Sequence, residues 1–190
     1  MAVKFVLVRH TQTDDNAQRK YTGQNNVPLN ELGVSQAESL ASQIAQLSNI
    51  QAIFSSDLQR TRKVAEIIAS QIGLKPIFTA ALREVDVGQI AGMLKDEAIA
   101  QYPDDKYRTS ELHFDFTDIG GESVQQVMQR FEQCLAEIDQ QYGTERPVVR
   151  VVVVTHGSAL RRFFVQEHQL LDKIHAQGEY QEVDWPPAQK

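Results

Sequence analysis

At 190 residues, with 42% aliphatic or aromatic side chains and 23% charged ones, the chain has the balance of one globular domain and excludes a disordered or fibrous protein. A formal charge of −6 argues against a nonspecific nucleic-acid binder, which needs a basic face for phosphates. Cys134 is the single cysteine, which removes an intramolecular disulfide or a CxxC metal or redox cluster and predicts a reducing, cytoplasmic setting. No run approaches the roughly 20 apolar residues of a membrane helix, and Lys4 interrupts the only leader-like stretch.

The first ordered segment, Val3 to Val8, is β-branched and aromatic, the pattern of a buried strand, and it runs into Arg9, His10 and Thr11. Gln12 to Asn26 is polar and is expected to be a loop over the strand ends. Leu32, Ala37, Leu40, Ile44 and Leu47 then recur at helical spacing. Ile50 to Phe54 predicts a second strand. Behind it Ser55, Ser56 and Asp57 are expected to cap a helix that buries Leu58, Val64, Ala65, Ile67, Ile68 and Ile72 and stops at Gly73.

Pro76 to Phe78 predicts a third strand, followed by Leu82, Arg83 and Glu84. Residues 89–119 have weak periodicity and are expected to form a substrate-side insertion with one short helix near Asp96 to Tyr102. Ser123 and Gln126 make a capping box for a helix whose stripe is Val124, Val127, Met128, Phe131, Leu135, Ile138 and Tyr142. Val148 to Val154 is a late strand running into Thr155, His156 and Gly157, and a helix is expected over Ala159 to Glu167. Strands alternating with helices predict an α/β fold, a three-layer α/β/α sandwich with a mainly parallel central sheet. Residues 1–169 are assigned to a single domain, and 170–190 to a polar C-terminal tail without a convincing strand.

Functional side chains of a parallel sheet gather at the carboxyl ends of its strands. Arg9 and His10, then His156, end two such strands; Arg60 falls in the first turn of a helix and Glu84 follows the third strand. Two guanidinium groups and a helix amino terminus describe a phosphate pocket. A neutral imidazole inside it can attack phosphorus, a second can hold equatorial oxygens, and a carboxyl group can protonate the leaving oxygen. Asp57, Asp86 and Glu122 compete with Glu84 for that last place.

Val8-Arg9-His10-Thr11 with Asn16, Ser55-Ser56-Asp57-Leu58-Gln59-Arg60-Thr61, Leu82-Arg83-Glu84, Gly120-Gly121-Glu122-Ser123 and Val154-Thr155-His156-Gly157 together resemble the ordered motifs of the histidine phosphatase superfamily, the phosphoglycerate-mutase-like family. The resemblance implies a reaction without metal or cofactor. His10 would be the nucleophile, Arg9, Arg60 and His156 the phosphate-holding groups, and Glu84 the general acid and base. It also implies phosphate or substrate contacts at Asn16, Thr22, Gly23 and Gly157. Thr11 departs from the glycine usual after the nucleophile.

The activity this predicts is hydrolysis of a small phosphate monoester through a phosphohistidine. A phosphoglycerate-type mutase and a non-catalytic phosphate- or phosphoprotein-binding module are the alternatives. Residues 89–119 carry three cations against seven carboxylates, a net −4, and an acidic lid predicts a phosphatase over a mutase with a doubly phosphorylated substrate. Neither the natural substrate nor the oligomeric state is legible in the chain.

Overall fold

A computed structural model of the chain describes residues 3–109, 113–143, 148–168 and 176–185. The Val3–Arg9 strand (β1) lies beside the late strand Val149–Thr155 (β4), paired in parallel from Val3 opposite Val149 to Arg9 opposite Thr155. Ile50–Ser56 (β2) pairs in parallel with the other side of β4, and Pro76–Thr79 (β3) with β2. A fifth strand, Tyr180–Trp185 (β5), adds antiparallel to β1, so the sheet order is β3-β2-β4-β1-β5.

That last strand lies in the polar C-terminal tail, where the sequence offered no convincing strand. Its polarity comes from its place at the sheet edge, where Glu182 receives the Arg150 Nε–H at 2.8 Å and Asp184 pairs with Lys4. Val183 alone is buried, while Trp185 packs on Phe5 and Phe163. An edge strand whose charges are met across the sheet has no clean apolar alternation to read.

Alternate β1 residues serve opposite faces, as strand geometry requires. Val6 and Val8 pack under Glu31–Ile44 (α2) and Gln59–Ile72 (α3), against Leu40, Ile44, Val64 and Ile68. Phe5 and Leu7 face Val124–Tyr142 (α5) and Gly157–His168 (α6), in a cluster with Phe131, Leu135 and Phe163. The result is the three-layer sandwich, with its core divided by the sheet.

Several local expectations hold. Gly73 closes α3 at φ +72°, and Ser123 and Gln126 form both bonds of the capping box on α5. Others change. The loop 12–26 contains a short helix, Asp14–Ala17 (α1), capped by Thr13. Leu32 is 53% exposed and leaves the α2 stripe. The expected residues do not cap α3: its N-cap is Leu58, the Ser55 and Ser56 hydroxyls turn to other partners, and the Gln59 N–H donates to Asn26 Oδ1 at 2.7 Å from the loop before α2. The insertion carries its short helix at Lys95–Gln101 (α4).

Candidate active site

The carboxyl ends of β1 and β4 place the two histidines side by side. Because Arg9 is in register with Thr155, the next residues are neighbours: the His10 N–H donates to Thr155 O at 3.0 Å, and the His10 and His156 rings meet edge-on with centroids 5.2 Å apart. His10 Nδ1 lies 2.7 Å from Thr11 O. A carbonyl only accepts, so the ring proton of the neutral imidazole sits on Nδ1 and the lone pair on Nε2. The Thr11 hydroxyl donates to Gly33 O at 2.6 Å, which pins the turn after His10 to the start of α2 and gives the unusual threonine a structural task.

Burial, then the charges of Arg60 and Arg9, hold His10 well below the usual imidazole range, although its bond to Thr11 O opposes them. His156 is depressed as well, by burial first and then by Arg60 and His10. Both rings are therefore neutral in the folded chain at neutral pH, whereas in the unfolded chain they take up protons near the ordinary value of 6.5. With more protons bound in the unfolded state, stability falls as pH drops below about 6.5. Thermal unfolding followed between pH 7.5 and pH 5 is expected to show a declining Tm in this window. The carboxylates held low by partners, Asp57 and Glu122, contribute their loss only at more acidic pH. A Tm independent of pH down to 5 would contradict the neutral, buried pair.

Arg60, from the first turn of α3, is 1% exposed. Its Nη2 donates to Gly23 O at 2.7 Å and Nη1 to Asn25 O at 2.8 Å, so the buried guanidinium holds the loop that carries Thr22 and Gly23. Burial lowers its pKa to about 10, against the favourable charges of Glu84 and Asp15, which leaves it cationic at neutral pH. Arg9 lies against Gly157: a Cβ there would sit 2.9 Å from Arg9 Cζ, so glycine permits the guanidinium to cross the start of α6. Gly157 is thus explained by close approach.

Glu84 receives the Val85 N–H at 3.0 Å and, through its other oxygen, the Ser158 N–H at 3.2 Å, at the amino terminus of α6. The competing acids are engaged elsewhere. Asp57 forms a two-pronged pair with Arg83, both contacts 2.6 Å, Glu122 pairs with Arg130, and Asp86 receives the Gly88 N–H. Among the described residues, Glu84 is the one carboxylate on the wall of a cavity of about 200 Å³, which also exposes Arg9, His10, Asn16, Thr22, Gly23, Arg60 and Gly157.

Eight of the nine residues singled out from sequence therefore share one cavity wall. His156 stands behind His10 and does not line it. Its Nε2 meets Ser56 Oγ at 2.9 Å, and its buried Nδ1, like Thr22 Oγ1 and Arg60 Nε, has no hydrogen-bond partner among the described residues. Buried polar atoms left open in this way mark a site that can receive a polar ligand.

Sequence reasoning missed four cations. Lys20, Lys95 and Arg161 line the same cavity, and Arg19 joins Lys20, Lys95, Asn16 and Gln177 around an adjoining hollow. Lys95 overturns the acidic-lid expectation. It comes from the insertion and turns inward, while none of the described carboxylates of 89–119 lines either space. They are used locally: Asp118 by Lys106 and Tyr107, Asp105 by Arg108, Asp115 by Thr117. Net charge carries no direction, so the pattern was invisible in composition.

The model of the histidine phosphatase superfamily (branch 1) matches residues 5–174. The chain belongs to this superfamily. Phosphoglycerate mutase-like protein 4 of Arabidopsis thaliana is 34% identical over 90% of this chain and 74% of its own length. A metal-independent phosphoserine phosphatase, also of Arabidopsis thaliana, is 31% identical over 86% of this chain and 68% of its own. Among solved structures, a mycobacterial glucosyl-3-phosphoglycerate phosphatase in complex with VO3 superposes with a TM-score of 0.82 at 26% identity, covering 95% of this chain and 90% of that one. The chain's superfamily relatives are thus phosphatases and mutases of the same fold. No helix of the described residues is long and apolar enough to cross a membrane.

Proposed function

We propose that the protein is a phosphoric monoester hydrolase that works without metal through a phosphohistidine on His10. The observation that carries this reading is the His10 ring, buried, neutral and proton-locked at Nδ1, with Nε2 as its free lone pair beside Arg9 and Arg60. Nε2 attacks phosphorus, the ester P–O bond breaks, and Glu84 hands its proton to the leaving oxygen. The Nδ1–H to Thr11 O bond stabilises the positive ring that results. Water then attacks the phosphohistidine while Glu84 takes its proton, releasing phosphate and restoring His10.

Charge on the transferring group is met by Arg9 and Arg60, which act by electrostatics and positioning. The neutral His156 ring, held through Nε2 at Ser56 Oγ and edge-on to His10, backs the nucleophile. The loop carrying Thr22 and Gly23 supplies further contacts, and Asn16 orients its amide with its oxygen already receiving the Gln177 Nε2–H at 2.6 Å. The phosphatase names of two relatives support hydrolysis as the outcome.

Lys20, Lys95 and Arg161 favour a small substrate with a second acidic group beyond the phosphate being transferred, since one phosphate does not need so many cations. The same observation supports the second reading, a mutase that returns the phosphoryl group to a bound hydroxy acid.

A panel of phosphate monoesters with and without a carboxylate, assayed in excess chelator, tests both. Undiminished phosphate release, fastest from the doubly acidic members, is the expected result. Loss of release in chelator would sink the metal-free mechanism. Silence on the whole panel would favour a binding module, and an isomerised phosphate ester without free phosphate would favour the mutase.

A further inference from the structure

We propose that Arg130, outside the cavity, is a positioning residue that sets the Glu84 carboxyl at the leaving oxygen; this rests on Glu84 being the proton donor. Arg130 projects from the second turn of α5 and divides its five N–H donors between the backbone carbonyls before and at Glu84 and the Glu122 carboxylate. Nη1 donates to Ala81 O at 3.0 Å and Arg83 O at 2.7 Å, and Nη2 to Glu84 O at 3.0 Å. Nε and Nη2 also grip Glu122 Oε1 and Oε2, each at 2.8 Å. Glu122 Oε2 in turn receives the Asp86 N–H at 2.9 Å, and the Glu122 N–H donates to Asp86 O at 2.8 Å.

Three carbonyls, those of Ala81, Arg83 and Glu84, and the Asp86 amide are therefore fixed by one guanidinium–carboxylate unit. Gln24 adds a bond to Glu84 O at 3.2 Å from the opposite loop. The contact is close because Gly121 has no side chain: a Cβ there would lie 2.3 Å from Asp86 O. The pair is about one-fifth exposed, and a partly solvated ion pair adds little net stability. What it adds is geometry, since a general acid must lie within hydrogen-bond reach of the oxygen it protonates. A lysine has three donors in no fixed plane and cannot reproduce the fork.

The test compares kcat/KM for 4-nitrophenyl phosphate, whose leaving group needs little protonation, with that for phenyl phosphate, whose leaving group needs more. This ratio reports transfer to His10 and excludes the later hydrolysis. Glu84→Gln serves as the reference and is expected to lose about tenfold more activity on phenyl phosphate than on 4-nitrophenyl phosphate. Arg130→Lys and Glu122→Gln, with their cavity residues intact, are expected to show the same selective loss in at least a fivefold ratio. Equal losses on both substrates in these variants, with Glu84→Gln still selective, would overturn the positioning role. Equal losses in Glu84→Gln itself would overturn Glu84 as the acid, and the inference with it. Should Arg130→Lys fail to fold, Glu122→Gln, which keeps the guanidinium and its three carbonyl bonds, decides alone.

Discussion

His10→Ala is expected to lower turnover by about 10⁴-fold or more and to abolish phosphorylation of the chain, because no other group can replace a nucleophile that carries the covalent intermediate. Brief incubation of the intact protein with a labelled monoester, followed by quenching, should trap a phosphoprotein that is labile in acid and stable in base, the signature of a P–N bond. The variant should trap none. The fold should survive, since the ring bonds its own neighbour's carbonyl, Thr11 O, and the alanine removes a desolvated polar group from beside Arg60 and Arg9. Its Tm should also depend less on pH between 6.5 and 5, one of the two depressed imidazoles having gone. Label retained in the variant would place the phosphoryl group elsewhere and remove His10 from its role.

Arg60→Lys should be nearly as damaging despite keeping the charge. The guanidinium is 1% exposed and spans from the Gly23 carbonyl to that of Asn25, a separation its planar fork satisfies from one side chain. A lysine reaches one of them at best, and losing the donor at the buried Gly23 carbonyl costs about 1–3 kcal/mol, whereas the Asn25 carbonyl is only part-buried. It also moves the charge off the line of the transferring group. Loss of one preorganised donor in such a site lowers kcat by about 10²- to 10³-fold, and kcat/KM should fall at least as far. Vanadate, a mimic of the transferring phosphoryl group, should lose inhibitory potency in parallel. A variant with weakened stability but unchanged kcat and vanadate affinity would show that Arg60 only holds the Gly23 loop.

How far each residue could be read follows from where its information lies. His10 and His156 were legible because a buried parallel strand is a continuous apolar run whose carboxyl end is visible in the chain. Arg60 was found although the reason offered for its helix, a capping serine or aspartate, proved wrong: Leu58 occupies the N-cap and Asp57 is committed to Arg83. The helix starts where its apolar face meets the sheet, and its first N–H is met from a distant loop by Asn26 Oδ1, a partner no local pattern shows. Glu84 could not be separated from Asp57, Asp86 and Glu122 by pattern, since four carboxylates of equal chemistry differ only in what stands beside them.

Local pattern and the ordered motifs determined the fold class and picked out the arginines and histidines that the structure brings together at the strand ends, because each of these is written in a few consecutive residues. Tertiary structure alone decided the rest. It showed which acid faces the cavity, why Thr11 replaces a glycine, that a polar tail closes the sheet as β5, and that Lys95 points a cation inward from an insertion rich in carboxylates. These depend on contacts between residues far apart in the chain, where Gly33 meets Thr11, Arg150 meets Glu182 and Arg130 meets the Glu84 loop. A charge or hydroxyl has no direction until the backbone that carries it is packed.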